Sequence, residues 1–288
     1  MSRATWRRGD GTTSILDVET AFSASLTNGS LQSVRIYRMA VAVFTPDERE
    51  RLRAELVCAA RSDSRVCGAA HTGSAAALRL DRWSDIDLAL CLHPEASPEQ
   101  VVADWTQRLY RDHGAVAHID VMRGATLVRV FLLANTLQVD VAFWHAEHFG
   151  ATGPNFQLVF GQARPPRRAA ESNPDFLIGM AWLYALHVRS SLARGRILQA
   201  ECMLSGMRNH VCELTCLRYG VNPKQGRGLD DLPPVERDTM AACVPRSIEH
   251  FELRRAFQAT MRSLLAELPN VDNALATTLS GPLSEIVA

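Results

Sequence analysis

The 288 residues include 47% hydrophobic and 22% charged side chains, which is enough apolar surface for one large domain or two modest ones. Thirty-one basic residues balance 31 acidic ones, so a nucleic acid is not expected as a general partner, because phosphate binding needs a basic surface. No apolar run approaches the roughly 18 to 20 residues that span a bilayer, and the amino terminus lacks a secretory signal. We therefore expect a cytoplasmic protein that does not enter the membrane.

Seven cysteines are scattered through mostly apolar segments, with no C-x-x-C pair to indicate zinc or a redox dithiol. We interpret them as reduced, buried, small hydrophobic residues. Cys212 and Cys216 lie one helical turn apart, but no second pair of ligands follows at zinc-site spacing. The cysteines are Cys58, Cys67, Cys91, Cys202, Cys212, Cys216 and Cys243.

Little periodicity is visible before the first clear helix signal. Residues 1–38 are predicted to be a poorly ordered or loosely packed tail. The stretch "FTPDERERLRAEL" then predicts a helix over 46–62, with Thr45 as N-cap, Pro46 in the first turn and Glu48 completing a capping box.

Between residues 39 and 163, the helix over 46–62 is followed by short apolar runs and a second, amphipathic helix. Strands are predicted over 66–73, 85–92, 116–123, 126–134 and 137–144. The second helix begins after Ser97, with Pro98 in its first turn, and ends at Gly114. This order predicts an α+β domain built on a mixed sheet with flanking helices.

A proline- and arginine-rich stretch over 164–168 is predicted to be a linker, because the pattern changes after it. Every long segment beyond it has helical periodicity, in particular 175–194, 198–219 and 247–268. We therefore predict a second, all-α domain, a helical bundle, over residues 170–288.

Two aspartates stand two positions apart at the start of the strand "DIDLALCL". On a strand, Asp85 and Asp87 point to the same face while Ile86 points into the core. Asp140, in the middle of "LQVDVAFW", must likewise emerge on a polar face because Val139 and Val141 face the core. If the two strands are neighbours, three carboxylates meet and suit one or two Mg²⁺ ions.

A Gly-Ser pair precedes these aspartates by about ten residues. Gly73 and Ser74 stand between a strand and the helical-looking "SAAALRL". Backbone N–H groups at the start of a helix bind phosphate, and glycine permits a close backbone approach. Ser74 has a hydroxyl to add. The pair is therefore a candidate phosphate-binding turn.

Taken together, the Gly-Ser turn, the Asp-x-Asp strand and the later aspartate resemble the nucleotidyltransferase superfamily related to DNA polymerase β. A small catalytic domain followed by a helical bundle looks most like the bacterial aminoglycoside and lincosamide nucleotidyltransferases. The resemblance covers residues 73–143. One departure is that many relatives have a second glycine where this chain has Ala77 and Leu78.

The resemblance implies a set of roles for these residues. Asp85, Asp87 and Asp140 are expected to ligate Mg²⁺, and Gly73 and Ser74 are expected to bind the triphosphate of ATP or another nucleotide. An acceptor hydroxyl then attacks the α-phosphorus and pyrophosphate leaves, as in an adenylyltransferase.

Two further roles are hypotheses from position alone. Asp140 is the first choice for the base that takes the hydroxyl proton, and Glu201 is the second, although a helix glutamate is more often simply solvated. Arg79 and Arg82, just upstream of the aspartates, are candidate phosphate contacts.

The acceptor stays open at this stage. A small hydroxylated molecule, such as an aminoglycoside or lincosamide antibiotic, is the first hypothesis, with the protein acting as a monomer or homodimer. A protein or RNA acceptor is the second, although neutral charge argues against RNA. A catalytically idle nucleotide-binding module is the third.

Overall fold

The computed structural model describes residues 6–7, 43–167 and 172–287. The chain divides into two compact units, residues 1–169 and residues 170–288, here called the sheet unit and the helical unit. The predicted tail over 1–38 lies outside the described residues except for Trp6–Arg7, which forms a two-residue strand.

The sheet unit alternates helices and strands along the chain. Three helices are present in its described part, of which the second is a single turn. The helices are α1 (Pro46–Ser62), α2 (Gly73–Ala76) and α3 (Pro98–His113). The strands are β1 (Trp6–Arg7), β2 (Val66–Thr72), β3 (Ile86–Leu92), β4 (Ala115–Arg123), β5 (Thr126–Leu133), β6 (Gln138–His145) and β7 (Phe156–Phe160).

All of these strands form one mixed sheet in the order β1-β4-β5-β6-β3-β2-β7. Only β3 and β6 pair in parallel, and the other neighbours are antiparallel. The parallel pair lies in the centre of the sheet, so the two strands that carry the predicted aspartates are direct neighbours.

Local signals set the helix boundaries as predicted. Thr45 caps α1 through a capping box in which its hydroxyl accepts from the Glu48 N–H and Glu48 accepts from the Thr45 N–H. Ser97 caps α3 by accepting from the Gln100 N–H, and Gly114 ends that helix in the left-handed conformation.

One face of the sheet carries the main core of this unit. Apolar side chains of α1 and α3 pack there, including Leu56 and Leu109, both fully buried. From β3, Ile86, Leu88 and Leu90 point into the same core. The opposite face is therefore left for the alternate residues of β3 and β6.

Five helices make up the described part of the helical unit. They are α4 (Pro174–Ala193), α5 (Ile197–Arg218), α6 (Pro234–Ala242), α7 (His250–Val271) and α8 (Asn273–Glu285). Their apolar faces share one core that includes Leu204, Met207, Leu253 and Leu264. The predicted fold class, a mixed α+β region followed by an all-α region, is confirmed.

Several predictions differ from the structure. Strand β7 and helices α6 and α8 were not predicted, and α7 begins at His250 instead of residue 247. The prediction of burial is wrong for Cys58 and Cys202, which are exposed because they lie on outward faces of α1 and α5. Cys67 and Cys212 are only half-buried.

Helix α4 qualifies the expectation about membrane segments. An 18-residue window of this 20-residue helix has a mean hydropathy of 1.2, so the helix could cross a bilayer by length and composition. Ala181, Ala185 and Val188 are nevertheless fully buried against α5 and α7, as in the core helix of a bundle. Among the described residues it is the one helix that meets this test.

Glu267 is the buried polar centre of the helical unit, and its loss is expected to be costly. It accepts from the Thr215 hydroxyl at 2.7 Å and from Arg218 Nε and Nη2 at 2.9 Å each. We expect Glu267→Gln to lower the free energy of unfolding by about 2 kcal/mol, because Arg218 loses its buried counter-charge. Glu236→Gln, which removes a more exposed partner of the same arginine, is expected to cost less than about 1 kcal/mol. Urea titrations compare the two, and equal losses would contradict the assignment.

Candidate active site

The predicted aspartates lie together at the start of the central parallel strand pair. Asp87 on β3 stands directly opposite Asp140 on β6, and Asp85 immediately precedes β3. One carboxylate oxygen of each residue lies within 4.8 Å of those of the other two. The neighbours Ile86 and Val139 are fully buried on the other face, so strand alternation places the three carboxylates on one surface.

The carboxylates of Asp85, Asp87 and Asp140, here called the acidic cluster, are close enough to disfavour the ionisation of all three. Burial, together with the neighbouring charges of Asp85 and Asp140, raises the pKa of Asp87 to about 7. Arg123 acts weakly against this rise. Asp87 therefore keeps a proton near neutral pH unless a cation takes that proton's place.

The donor set fits a hard divalent cation. Asp85, Asp87 and Asp140 supply only carboxylate oxygens, the ligand type that Mg²⁺ prefers. No cysteine or histidine belongs to the group, and within the described residues this is the one cluster of three or more such side chains close enough to share an ion. Which metal these residues bind stays a prediction.

The raised pKa of Asp87 predicts a specific dependence of stability on pH. The folded chain binds this proton more tightly than the unfolded chain, where the pKa is near 3.8. The stabilisation is therefore complete below that value and is lost as the pH rises through about 7. We expect the metal-free protein to melt at a lower temperature at about pH 8 than at about pH 6, with a smaller difference in Asp87→Asn. Differential scanning fluorimetry tests this, and an identical pH profile for both proteins would contradict it.

Gly73 is packed against the Asp87 carboxylate. A Cβ at residue 73 would overlap Asp87 Oδ2 and lie 2.6 Å from Asp87 Cγ. The residue also has φ = +60°, a conformation that side chains with a Cβ rarely adopt. Glycine is therefore required at this position by the aspartate as well as by the turn.

Ser74 follows in the same turn, and its hydroxyl oxygen is buried with no hydrogen-bond partner among the described residues. The prediction that "SAAALRL" is a helix is wrong in extent. Helix α2 ends at Ala76, and Leu78 adopts φ = +55°, which interrupts the helix. A single turn has little macrodipole, so phosphate binding here depends on individual N–H and hydroxyl donors.

Gln138 is a member of the site that sequence reasoning missed. Its side-chain amide donates to Asp140 Oδ1 at 2.8 Å and lies 3.5 Å from Asp85 Oδ2. Gln138 stands two positions before Asp140 on β6, so strand periodicity was the available signal. The amide links the carboxylates of the two strands.

The loop before Asp85 is held by a buried arginine that was also missed. Arg49 is 3% exposed, and its Nη1 donates to the carbonyl oxygens of Asp81 at 2.5 Å and Ser84 at 3.1 Å. Within the loop, Asp81 Oδ1 accepts from the Trp83 N–H and the Ser84 hydroxyl. This network fixes the backbone that leads into Asp85.

The remaining predicted residues lie outside this acidic cluster. Arg79 and Arg82 are exposed on the loop before β3, and the Arg82 guanidinium lies 5.1 Å from the centre of the Trp83 ring. Glu201 belongs to α5 in the helical unit, where it accepts from the Ser205 hydroxyl at 2.9 Å. Their roles stay predictions.

Comparison with known proteins gives distant similarity to solved structures. No family model and no curated protein sequence matches the chain. Among solved structures, the chain is similar to an aminoglycoside 6-adenyltransferase from Bacillus subtilis, with a TM-score of 0.36 and 12% sequence identity. The match covers 83% of this chain and 97% of that chain. A similarity this distant assigns neither a family nor a function, so the site is interpreted from its own geometry.

Proposed function

We propose that this protein is a Mg²⁺-dependent nucleotidyltransferase that moves a nucleoside monophosphate, AMP from ATP, to a hydroxyl group of a small molecule. The observation that carries the proposal is the convergence of Asp85, Asp87 and Asp140 on one surface, with the Gly73 turn packed against Asp87. Phosphoryl-transfer sites need this combination, because carboxylates hold the cations and an adjacent turn receives the phosphates.

Each residue has a distinct part in the proposal. Asp85, Asp87 and Asp140 hold the divalent cation, which when bound neutralises phosphate charge and orients the triphosphate. The Gly73 backbone and the Ser74 hydroxyl bind the triphosphate oxygens, and this gives the buried Ser74 oxygen the partner it lacks among the described residues. Gln138 keeps the carboxylates of the two strands in register.

The reaction exchanges a phosphoanhydride bond for a phosphate ester bond. The acceptor oxygen forms a bond to the α-phosphorus, and the bond from that phosphorus to the bridging oxygen of pyrophosphate breaks. A carboxylate oxygen of Asp140 receives the hydroxyl proton, and Glu201 is the alternative base. The chain accelerates this transfer by positioning and by charge, without a covalent intermediate.

The proposal assigns the chain to two domains. Residues 39–163 form the catalytic domain, and residues 170–288 form a helical bundle domain. Arg79 and Arg82 are exposed upstream of the aspartates and contact the phosphates.

The acceptor that we propose is an aminoglycoside or lincosamide, so the activity would confer antibiotic resistance in the cytoplasm. Neutral charge favours a small molecule over a nucleic acid, because a polyanion needs a basic surface. A monomer or a homodimer is compatible with this chemistry, and no membrane is required.

Pyrophosphate release tests the proposed function. Purified protein is incubated with MgCl₂, each of the four common nucleoside triphosphates and a panel of hydroxylated antibiotics. We expect acceptor-dependent release of pyrophosphate, absent in Asp87→Asn and retained in Asp47→Asn, which changes an exposed aspartate on α1. Mass spectrometry of the antibiotic should show one added nucleoside monophosphate.

Radiolabelled ATP in cell lysate identifies an acceptor that the panel omits. A labelled metabolite would support the small-molecule proposal, whereas a labelled protein or RNA would replace the acceptor class and keep the chemistry. The contrary result is that the protein releases no pyrophosphate with any nucleotide or acceptor, while the wild type and Asp87→Asn bind ATP equally well. That result would contradict the enzymatic proposal and would favour a catalytically idle nucleotide-binding module.

A further inference from the structure

Two cysteine thiols lie side by side on the neighbouring strands β2 and β3. Cys67 Sγ is 3.1 Å from Cys91 Sγ and 3.4 Å from the Cys91 carbonyl oxygen. Cys91 is buried and Cys67 is half-buried, so Cys67 is the more accessible of the two residues. A disulfide needs a bond of about 2.05 Å, so a small shift of side chains closes the gap.

A β-bulge produces this contact. Val66 pairs with Leu92 and Gly68 pairs with Cys91, so Cys67 is the extra residue of β2 and has no partner of its own in the ladder. A Cβ at Gly68 would meet Cys91 Cβ and a Phe149 ring carbon, each at 3.3 Å. The small residue beside the bulge therefore lets the two cysteine side chains approach each other.

We propose that Cys67 and Cys91 form a redox-active dithiol, which a small-molecule disulfide such as oxidised glutathione converts into an intrachain disulfide. This inference does not depend on the proposed transferase activity. It goes beyond the sequence interpretation of both cysteines as reduced, buried hydrophobic residues, because the spacing of 24 positions between them gave no motif.

The oxidation takes two exchange steps. The Cys67 thiolate attacks one sulfur of the oxidant, and the second glutathione sulfur leaves as a thiolate. The Cys91 thiol then releases its proton to solvent, and its sulfur attacks Cys67 Sγ and displaces the bound glutathione. The two cysteines together lose two electrons and two protons, and one oxidised glutathione becomes two reduced molecules.

The order of these steps follows from the surroundings of the thiols. Burial raises the pKa of Cys91 to about 12, and the adjacent Cys67 thiol adds to the rise. Cys91 therefore does not react first, and it becomes the resolving thiol once Cys67 is bound to glutathione. The Cys67 thiol, which helps to keep Cys91 protonated, becomes a mixed disulfide in the first step.

The disulfide would enclose the candidate active site within a covalent loop. Residues 67–91 include Gly73, Asp85 and Asp87. Cys91 and Asp87 share one face of β3, roughly 13 Å apart along the strand. Oxidation is therefore expected to raise the melting temperature by roughly 5 °C, because a closed loop restricts the unfolded chain.

Intact-mass and peptide mapping tests the proposal on the full chain carrying Cys58→Ser and Cys202→Ser, which remove the two exposed thiols. After treatment with oxidised glutathione, we expect a loss of two hydrogen atoms, no retained glutathione, and a cross-linked peptide pair containing residues 67 and 91. Cys91→Ala should instead keep one glutathione on Cys67. Cys67→Ala should leave Cys91 unmodified.

Three outcomes would overturn the proposal. These are a stable glutathione adduct on Cys67 while Cys91 is present, a cross-link between other cysteines, or no reaction of Cys67 in a protein whose circular dichroism shows it to be folded. Cys91→Ser is the second variant if Cys91→Ala unfolds, and its melting curve verifies the fold before the assay.

Discussion

Replacing Asp87 with asparagine is expected to reduce pyrophosphate release by about 10³-fold, which corresponds to about 4 kcal/mol of transition-state stabilisation. Asp87 belongs to the acidic cluster and lies against Gly73, so in the proposed function its charge would act on both the cation and the turn. The same change is expected to leave the metal-free protein as stable as the wild type or more stable at about pH 8, because it removes a buried like charge.

Stability and activity should therefore change in opposite directions. Differential scanning fluorimetry with and without MgCl₂ is expected to show a rise in melting temperature for the wild type and none for Asp87→Asn. The exposed Asp47→Asn is the matched control and should keep the magnesium effect. Full activity in Asp87→Asn, or an equal magnesium shift in both proteins, would contradict the role of this carboxylate.

Replacing Gly73 with alanine is expected to have the second largest effect. The new methyl group would overlap the Asp87 carboxylate, so either the turn or the aspartate must move. A displacement of about 1 Å in a positioned catalytic group costs on the order of 10²-fold in rate. We expect Gly73→Ala to lose at least that much activity and most of the magnesium-dependent rise in melting temperature.

Gly124 provides a matched control for backbone strain. It has φ = +63°, close to the +60° of Gly73, but a Cβ there would meet no atom within 4 Å. Both alanine variants should lose about 1 to 2 kcal/mol of stability from the left-handed conformation. Only Gly73→Ala should lose further stability through the contact with Asp87, and only Gly73→Ala should lose activity. If Gly124→Ala impairs catalysis equally, the effect comes from strain rather than from the contact with Asp87.

A double-mutant cycle isolates the contact itself. In the Asp87→Ala background, the side chain that Gly73→Ala would overlap is absent, so the second substitution should cost only the backbone strain. The interaction free energy between the two sites is then expected to be at least about 1 kcal/mol. Additive stability losses would show that the two residues do not contact each other in solution.

The sequence was most informative where structure depends on neighbouring residues. The caps at Thr45 and Ser97 act within one helical turn, and the boundaries of α1 and α3 followed from them. Strand alternation likewise placed Asp85, Asp87 and Asp140 on polar faces, because each is flanked by residues that enter the core.

Strand β7 illustrates where local patterns are insufficient. Residues 156–160 lie at the edge of the sheet, and all five are exposed or half-buried, so they lack the burial pattern of a central strand. The extent of α2 was missed for a related reason. "SAAALRL" has helical composition, but Leu78 adopts a left-handed conformation that composition does not encode.

The contacts that complete the site are long-range in the chain. Gly73 meets Asp87 across a loop, and Arg49 binds carbonyl groups more than 30 positions away. Gln138 had a local signal, since it shares a face with Asp140, but its approach to Asp85 depends on the parallel pairing of β3 and β6. Side-chain type alone does not specify such pairings.

A crystal structure with Mn²⁺ and a non-hydrolysable ATP analogue tests the central claim most directly, because Mn²⁺ replaces Mg²⁺ and is visible by anomalous scattering. We predict an anomalous peak bonded to carboxylate oxygens of Asp85, Asp87 and Asp140 at roughly 2.0 to 2.3 Å, with the triphosphate against Gly73 and Ser74. A nucleotide bound elsewhere, or no metal at the three carboxylates in crystals that contain the analogue, would contradict the account.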